Sequence, residues 1–179
     1  RVPVTQEVIA VTRKRSTTLV TATLAILGVL LSMHLHSPYR LLYNPSESAP
    51  RGWYVMVPVE SPRVDDFVVV RLPEKVAAMA AQRAYLPKTV PLLKHVAGIG
   101  GQQACSTAGS LSLDGRVVVR ARNHDGAGRP LIPWSGCRVL TSDEVLLLST
   151  SSDASFDSRY FGPVHRSAVI GRAIPIWIW

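Results

Sequence analysis

The stretch Asn44-Pro-Ser-Glu-Ser-Ala-Pro-Arg-Gly-Trp-Tyr54 follows the one long apolar run of the sequence, and the rest of the chain is organised around it. Ser48 at its centre is a candidate nucleophile. Pro45 and Pro50 restrict the backbone on both sides of this serine, and Gly52 allows a tight turn before the apolar pattern resumes. Such a turn can present a hydroxyl group instead of burying it. The alternative is an ordinary polar linker, since a short motif is weak evidence by itself.

The length and the net charge of the chain limit how many domains it can form and which partners it can bind. The 179 residues allow one domain of roughly 140 residues plus a short appendage. The formal net charge is +8, but the basic residues are scattered and the aromatic residues are not interleaved with them. We therefore expect membrane lipid as a partner and no nucleic acid.

A basic cluster at residues 13–15 is followed by a charge-free run over residues 16–39 with a strongly apolar centre. Residues 17–35 approach the roughly 20 residues that a helix needs to cross a bilayer. A cleaved signal peptide is the main alternative, but Ser-Met-His at residues 32–34 fits a small-x-small cleavage site poorly. A buried core helix is a third option, although nothing amphipathic supports it. The sequence thus favours a membrane anchor.

The position of the basic cluster also predicts the orientation of that anchor. Under the positive-inside rule, residues 1–15 form a cytoplasmic tail, residues 16–36 a single transmembrane anchor, and residues 37–179 a domain outside the membrane. We therefore expect a single-pass protein of a bacterial cytoplasmic (inner) membrane with a periplasmic main domain.

The two cysteines are consistent with that compartment. In an oxidising space, a disulfide between Cys105 and Cys137 would contribute about 3–4 kcal/mol by limiting the unfolded chain. The alternative is two independent buried thiols. We expect no metal site, because two cysteines without clustered histidines do not provide four ligands.

The remaining pattern is mostly that of β structure. Valine-rich runs at residues 54–58 and 66–72 predict a hairpin or neighbouring strands, residues 74–81 predict one short helix, and residues 91–98 predict an apolar strand. The turn Asp114-Gly115 predicts a hairpin between residues 111–113 and 116–121. A loop over residues 122–138 precedes further strand segments at 139–148 and 164–179. The expected fold is mainly β, with compact coiled antiparallel β-sheets, one short helix and an N-terminal transmembrane helix.

A serine hydroxyl needs a base to accept its proton, and Lys94 is the one lysine within an apolar strand. Burial lowers a lysine pKa and makes the amine a usable base near neutral pH. The alternative is a lysine whose stem lies on apolar surface while its head reaches water. The neighbouring His95 would point to the opposite face of a strand. A triad of Ser48, His165 and Asp157 is another alternative, because triads obey geometry and not sequence order.

Three segments in the same order resemble the signature boxes of the signal peptidase I family. These are the serine box around Ser48, the segment Leu-Lys-His-Val-Ala-Gly at residues 93–98, and Ser-Phe-Asp-Ser-Arg-Tyr-Phe-Gly-Pro at residues 155–163. The resemblance runs from about residue 38 to the end of the sequence. It implies a signal peptidase I-like fold and a Ser/Lys dyad without a cofactor.

The resemblance is closer to one branch, the TraF-type peptidases of conjugative transfer. Residues 48–54 resemble their Ser-x-Pro-x-Gly-x-Tyr pattern, and similar matches occur at residues 84–87, Cys105, 128–131, 134, 136–138 and 171–173. Three departures stand out: His95 where arginine is common, Gly101-Gln102 in place of Gly-Asp, and serines within residues 149–152 in place of Gly-Asp-Asn-Arg. The last indicates a different substrate, with catalysis retained.

The resemblance also implies a role for each matched residue. Ser48 is the nucleophile and neutral Lys94 its base. Ser46 and the backbone N–H of Ser48 would form the oxyanion hole, and Ser155 would orient the lysine. Asp157 and Arg159 would make a supporting ion pair.

The function expected from the resemblance is maturation of a translocated, membrane-associated precursor, foremost the pilin subunit of a conjugation system. Joining of the pilin ends is an added hypothesis, because an acyl-enzyme can be attacked by an amine as well as by water. The alternatives are a general type I signal peptidase and, from another class, a catalytically inactive anchored module that binds secretion components.

Overall fold

The computed structural model describes residues 17–29, 40–149 and 151–179. The chain divides into two units, Arg1–Ser37 and Pro38–Trp179. In the first unit the structure describes helix α1 at residues 17–29. No helix within the described residues is long and apolar enough to cross a membrane. The expected tail at residues 1–15, and residues 16 and 30–36 of the expected anchor, lie outside the described residues.

The second unit is mainly β, as the sequence predicted. Its described elements are β1 (Arg40–Asn44), β2 (Gly52–Val57), β3 (Phe67–Val70), α2 (Glu74–Gln82), β4 (Leu92–Ile99), β5 (Gln103–Thr107), β6 (Ser110–Leu113), β7 (Arg116–Arg120), β8 (Gly136–Val139), β9 (Glu144–Leu148), α3 (Ser158–Phe161), β10 (Val164–His165), a 3₁₀ turn (Arg166–Ala168) and β11 (Val169–Ile178). Seven strands form one sheet in the order β1-β2-β11-β3-β4-β9-β10, and four form a second sheet in the order β7-β6-β5-β8. The paired strands are antiparallel.

The core lies along the central strands of the large sheet. Val68 on β3, Val96 on β4 and Leu147 on β9 are fully buried in one apolar cluster. Each such side chain stabilises the fold by about 1.5–3 kcal/mol. These strands are nearly continuous runs of β-branched residues and leucine, which suits a position buried on both faces. The buried centre of the sheet therefore includes β4, the strand that carries Lys94.

The predicted pairing of the first two valine-rich segments is wrong. Strands β2 and β3 do not pair, because β11 lies between them and pairs with both. Gly52 at the start of β2 has a φ of 142°, and a Cβ atom there would lie 2.1 Å from the carbonyl oxygen of Trp177. The sequence indicated a tight turn at this glycine. The structure adds a second reason for it, the close approach of β11.

Other local predictions agree with the structure, with three differences. The first is that the predicted loop over residues 122–138 is shorter, because β8 begins at Gly136. Helix α2 and the β6–β7 hairpin form where predicted, and both turn residues Asp114 and Gly115 have positive φ, as a tight hairpin turn requires. The segment 139–148 is not one strand: β8 ends at Val139 in the small sheet and β9 begins at Glu144 in the large sheet. A second short helix, α3, also forms in the described residues.

A disulfide joins Cys105 of β5 to Cys137 of β8. The two residues are directly opposite in the strand register. The bond closes the segment that contains the β6–β7 hairpin and the long loop after it. It thus ties the end of that loop at Cys137 back to β5, and the disulfide pairing itself agrees with the sequence prediction.

Candidate active site

The serine loop connects two paired strands and is held by one amide side chain. Asn44 at the end of β1 is paired with Gly52 at the start of β2. The buried Asn44 side chain donates through Nδ2 to the carbonyl oxygens of Ser46, Ala49 and Pro50, at 3.0, 3.0 and 3.1 Å. A single side chain therefore fixes the curvature of the whole loop.

The two loop serines form a chain of hydroxyl groups. Ser46 Oγ donates to Oδ1 of Asn44 at 2.9 Å, and the Oγ atoms of Ser46 and Ser48 lie 2.8 Å apart. Because Oδ1 of Asn44 can only accept, the single proton of Ser46 is committed there, and Ser48 must donate to Ser46. Ser48 Oγ is also 3.4 Å from the carbonyl oxygen of Leu93. Ser48 is half-buried, with its hydroxyl group at the surface of a cleft.

Lys94 is buried on β4 and meets a hydroxyl group instead of a carboxylate. Its side chain is 2% exposed, and Nζ donates to Oγ of Ser155 at 2.6 Å. Burial lowers the pKa of Lys94 to about 8; the charge of Asp157 acts in the opposite direction and that of Arg159 in the same direction. The alternative in which the lysine head reaches water is therefore excluded. The amine is therefore mostly protonated at neutral pH and becomes neutral as the pH rises through about 8.

Asp157 and Arg159 form a fully buried, bidentate ion pair at the start of α3. Arg159 Nε and Nη2 lie 2.8 and 2.7 Å from the two carboxylate oxygens of Asp157. The carboxylate also accepts the backbone N–H of Ser149, and the guanidinium also donates to the carbonyl oxygens of Ser152 and Asp153. The pair ties the segment after β9 to α3. The sequence-derived expectation of a supporting ion pair agrees with this geometry.

An open cleft of about 540 Å³ brings the predicted site residues together, and Ser46, Ser48, Lys94 and Ser155 all line it. Within the described part of the chain, no hydrogen bond joins Ser48 Oγ to Lys94 Nζ. A buried amine and a hydroxyl group that share a cleft can transfer a proton after a side-chain rotation, and such contacts are often long in unliganded sites. No cluster of three or more potential metal ligands occurs among the described residues.

His95 lies on the face of β4 opposite to Lys94, as the alternation of a strand predicted. Its Nε2 is 3.0 Å from a carboxylate oxygen of Asp65, and its ring packs edge-on against Phe67. The histidine is not among the residues that line the cleft.

The alternative triad of Ser48, His165 and Asp157 is not assembled. His165 lies on the exposed edge strand β10, where Nδ1 is 2.7 Å from Oγ of Ser167. Asp157 is occupied by Arg159, and His165 does not line the cleft that contains Ser48. Of the three bases considered for Ser48 (Lys94, His95 and His165), only Lys94 lines the cleft that contains it.

Sequence reasoning missed two parts of the site. The first is Asn44, which stands in the quoted stretch but was assigned no role; its place immediately before Pro45 at a strand end was the available signal. The second is the opposite side of the cleft, where Arg83, Tyr85 and Arg129 surround Asp125. The contacts of Arg83 and Tyr85 with Asp125 join residues forty or more positions apart, and no local pattern indicates them.

Fold and cleft together define a mainly β protein of the signal peptidase I type. The profile of the family described as "Signal peptidase, peptidase S26" matches residues 13–179. The chain belongs to this family, which confirms the resemblance drawn from its three boxes.

Among the similar proteins are two that are named as conjugal transfer proteins. The chain is 34% identical over 165 residues to "Probable conjugal transfer protein TraF" of Sinorhizobium fredii, covering 87% of this chain and 85% of the relative. It is 32% identical over 174 residues to "Conjugal transfer protein TraF" of Agrobacterium tumefaciens, covering 92% and 96%. A crystal structure of a signal peptidase I from Enterococcus faecalis aligns with 64% of this chain and 97% of its own, with 16% identity and a TM-score of 0.39.

Proposed function

We propose that the chain is a serine endopeptidase in which Ser48 is the nucleophile and Lys94 its general base. The observation that carries this proposal is the burial of Lys94 beside Ser155, in the same cleft as the Ser48 hydroxyl. Burial lowers the pKa of Lys94 to about 8, so the amine loses its proton and gains a lone pair at mildly alkaline pH. One N–H of the neutral amine donates to Ser155, and its lone pair can then accept the proton of Ser48.

Two rotations convert the resting hydroxyl chain into a reactive one. Ser48 Oγ turns from Ser46 towards Lys94 Nζ, which accepts its proton as the oxygen attacks the scissile carbonyl carbon. Ser46 Oγ then releases Asn44 and donates, together with the Ser48 backbone N–H, to the developing oxyanion. Each such donor is typically worth about 2.7–4 kcal/mol of transition-state stabilisation. Asn44 keeps the loop in shape through its three carbonyl contacts.

The lysine ammonium then protonates the leaving amine, and an ester forms on Ser48. An incoming water molecule would release an acid and regenerate the serine, whereas an incoming amine would form a new peptide bond. The N-terminus of the same substrate could supply that amine and close a ring. Hydrolysis and ring closure therefore share every step up to the ester.

The proposed location is the periplasmic surface of the cytoplasmic membrane, with residues 16–36 as the anchor. An exposed aromatic patch on the β1–β2–β11 part of the sheet supports contact with lipid: Tyr43, Trp53, Trp177 and Trp179 are 44%, 39%, 69% and 64% exposed. Tryptophan and tyrosine are enriched at membrane interfaces, where an apolar ring and a polar tip are both accommodated. The disulfide supports an oxidising compartment.

The proposed substrate is a translocated, membrane-associated precursor, and the pilin of a conjugation system is the foremost candidate. The support is the similarity to relatives named as conjugal transfer proteins. An anchored enzyme also reaches only bonds near the membrane, which restricts its substrates.

Incubation of purified full-length protein with the pilin precursor in detergent micelles tests this function. We expect a shortened product with the unaltered protein and none with Ser48→Ala, and the intact mass of the product separates a ring from a linear chain by one water. Cleavage by Ser48→Ala would refute the mechanism. Equal cleavage of unrelated secretory precursors would indicate a general signal peptidase. Precursor binding with neither cleavage nor labelling by an acylating inhibitor would indicate an inactive binding module.

Protease added outside spheroplasts tests the location. The domain after residue 37 should be digested, and Cys105 and Cys137 should resist alkylation until reduced. Protection of the domain, or immediate labelling of both thiols, would contradict the periplasmic assignment.

A further inference from the structure

Four residues that line the cleft contact one another and are here called the arginine wall: Arg83, Tyr85, Asp125 and Arg129. Asp125 is its centre, with a side chain only 4% exposed. It accepts the Tyr85 hydroxyl at 2.5 Å and Arg129 Nε at 2.7 Å, and it also accepts the backbone N–H groups of Ala127 and Arg129. These donors, led by the Tyr85 hydroxyl, hold the pKa of Asp125 below its usual value.

The two arginines are positioned by further contacts. Arg129 Nη2 donates to the carbonyl oxygen of Arg83 at 2.9 Å, and its guanidinium lies 5.5 Å from the ring centre of Tyr85. Arg83 Nη1 donates to the carbonyl oxygen of Pro130 at 2.9 Å. Two segments distant in sequence are thereby locked together with both guanidinium groups held in place.

Some guanidinium N–H groups of the arginine wall remain available to a ligand. Within the described residues, Nε and Nη2 of Arg83 and Nη1 of Arg129 have no hydrogen-bond partner. Asp125 carries one negative charge against two positive ones and already accepts four hydrogen bonds. The other acidic residue that lines the cleft, Glu47, is paired at 2.9 Å with Arg51. The cleft therefore has an uncompensated positive side.

The wall and the proposed nucleophile share one cleft, since Arg83, Tyr85, Asp125 and Arg129 line it together with Ser48. A peptide that occupies this cleft for attack by Ser48 is therefore within the space that the wall lines. Fixed guanidinium forks with free N–H groups match the geometry of a carboxylate.

We propose that the arginine wall is a substrate subsite that selects a carboxylate group, either an acidic side chain or a chain end, on the precursor. Arg83 and Arg129 contact that group, and Asp125 acts as a positioning residue through both arginines. The subsite rests on the proposed peptidase function and specifies its substrate class.

A positional library of fluorogenic decapeptides tests this subsite, with Glu or Gln at one position at a time and small residues elsewhere. Cleavage is measured with the full-length protein in detergent, and binding is measured separately with Ser48→Ala. We expect one position at which Glu exceeds Gln by about tenfold in both kcat/KM and affinity, as a hydrogen bond to a charged group commonly provides. Peptides with a free or amidated C-terminus distinguish a chain-end carboxylate from a side chain.

Arg83→Gln and Arg129→Gln should each reduce the Glu/Gln ratio to near one. Arg172→Gln is the matched control, because Arg172 is as exposed as Arg129, at 43% against 41%, but is paired with Asp66 outside the cleft. The control should keep the preference. Asp125→Asn should weaken the preference, and thermal unfolding shows which variants remain folded.

The outcomes separate the subsite from the peptidase. A wall that only latches two loops would slow Glu and Gln peptides equally in the arginine variants, which would overturn the subsite. The absence of any carboxylate preference in both assays would also overturn it, with cleavage intact. A preference in binding to Ser48→Ala without cleavage by the unaltered protein would support the subsite and refute the peptidase.

Discussion

Two neighbouring regions each bury a positively charged side chain, one with a carboxylate partner and one with a hydroxyl partner. At the start of α3, Arg159 is 1% exposed and bidentately paired with Asp157, which is 0% exposed. On β4, Lys94 is 2% exposed and has the Ser155 hydroxyl as its hydrogen-bond partner among the described residues. The first charge is compensated on site. The second is not, so burial lowers the pKa of the lysine.

The contrast shows that burial alone does not define the role of a cation. A partnered guanidinium stays charged and connects two segments, whereas an amine without a carboxylate partner becomes ready to release its proton. The two also interact, because the charges of Asp157 and Arg159 act on Lys94 in opposite directions. The structural pair therefore sets the electrostatic background of the proposed base.

The largest expected effect is on activity. Ser48→Ala and Lys94→Met should each lower the cleavage rate by at least about 10³-fold, because a nucleophile and its base act as one unit. Precursor cleavage measures this, and Lys75→Met on the exposed face of α2 is the matched control. Substantial activity in Lys94→Met would leave no role for the buried amine.

Breaking the compensated pair should cost stability. Asp157→Ala leaves the Arg159 guanidinium buried without its carboxylate, and we expect a loss of about 3–5 kcal/mol in the free energy of unfolding. Urea unfolding measures it. The exposed pair Glu47–Arg51 provides the contrast, since Glu47→Ala should change stability by less than about 1 kcal/mol. Equal effects of both substitutions would remove the distinction between the two kinds of pair.

Replacing the uncompensated lysine should change the free energy of unfolding in the opposite direction. Because Lys94→Met removes a buried charge, we expect it to stabilise the fold near neutral pH. The folded-state pKa of about 8 lies below the model-peptide value of 10.5, so the unfolded chain binds more protons between these values. The destabilisation by the buried Lys94 charge is therefore fully present below pH 8, decreases as the pH rises, and vanishes above 10.5. It amounts to about 3 kcal/mol. A difference between the two proteins that does not shrink over this pH range would contradict the assignment.

The smallest effect is a shift in pH dependence. Cleavage should rise with pH as Lys94 loses its proton around pH 8. Asp157→Asn removes a charge that raises the lysine pKa, so the rising limb should move to lower pH, by roughly one unit or less. Glu144→Gln, whose carboxylate does not act on Lys94, should leave the limb in place. A shift to higher pH would contradict the proposed coupling.

Much of this architecture is readable from local patterns. Lys94 was identified because one lysine interrupts an apolar strand, and the Asp114-Gly115 turn marked its hairpin. The pairing of β2 and β3 with β11 was not readable, since periodicity shows that a strand forms but not which strand lies beside it. Because β2 and β3 are close in sequence, a hairpin between them was a reasonable interpretation. In the structure, however, the distant strand β11 lies between them.

The missed parts of the site have a similar cause. The role of Asn44 depends on which carbonyl groups its amide reaches, and an asparagine before a proline is compatible with many turns. The arginine wall depends on Tyr85 and Asp125, forty positions apart, meeting at 2.5 Å. Charged surface residues usually stay solvated, so only three-dimensional contact identifies the exceptions.

The position of β11 determines when, during folding, the serine loop and Lys94 come together. The sheet connects the serine loop to Lys94 through β2, β11, β3 and β4, in that order. During synthesis from the N-terminus, β2, β3 and β4 appear well before β11, and β2 is not joined to β3 and β4 until β11 inserts between β2 and β3. Contacts of such long sequence separation form late and slowly. Incompletely synthesised chains should consequently lack the proposed activity, which should begin only when β11 completes the sheet.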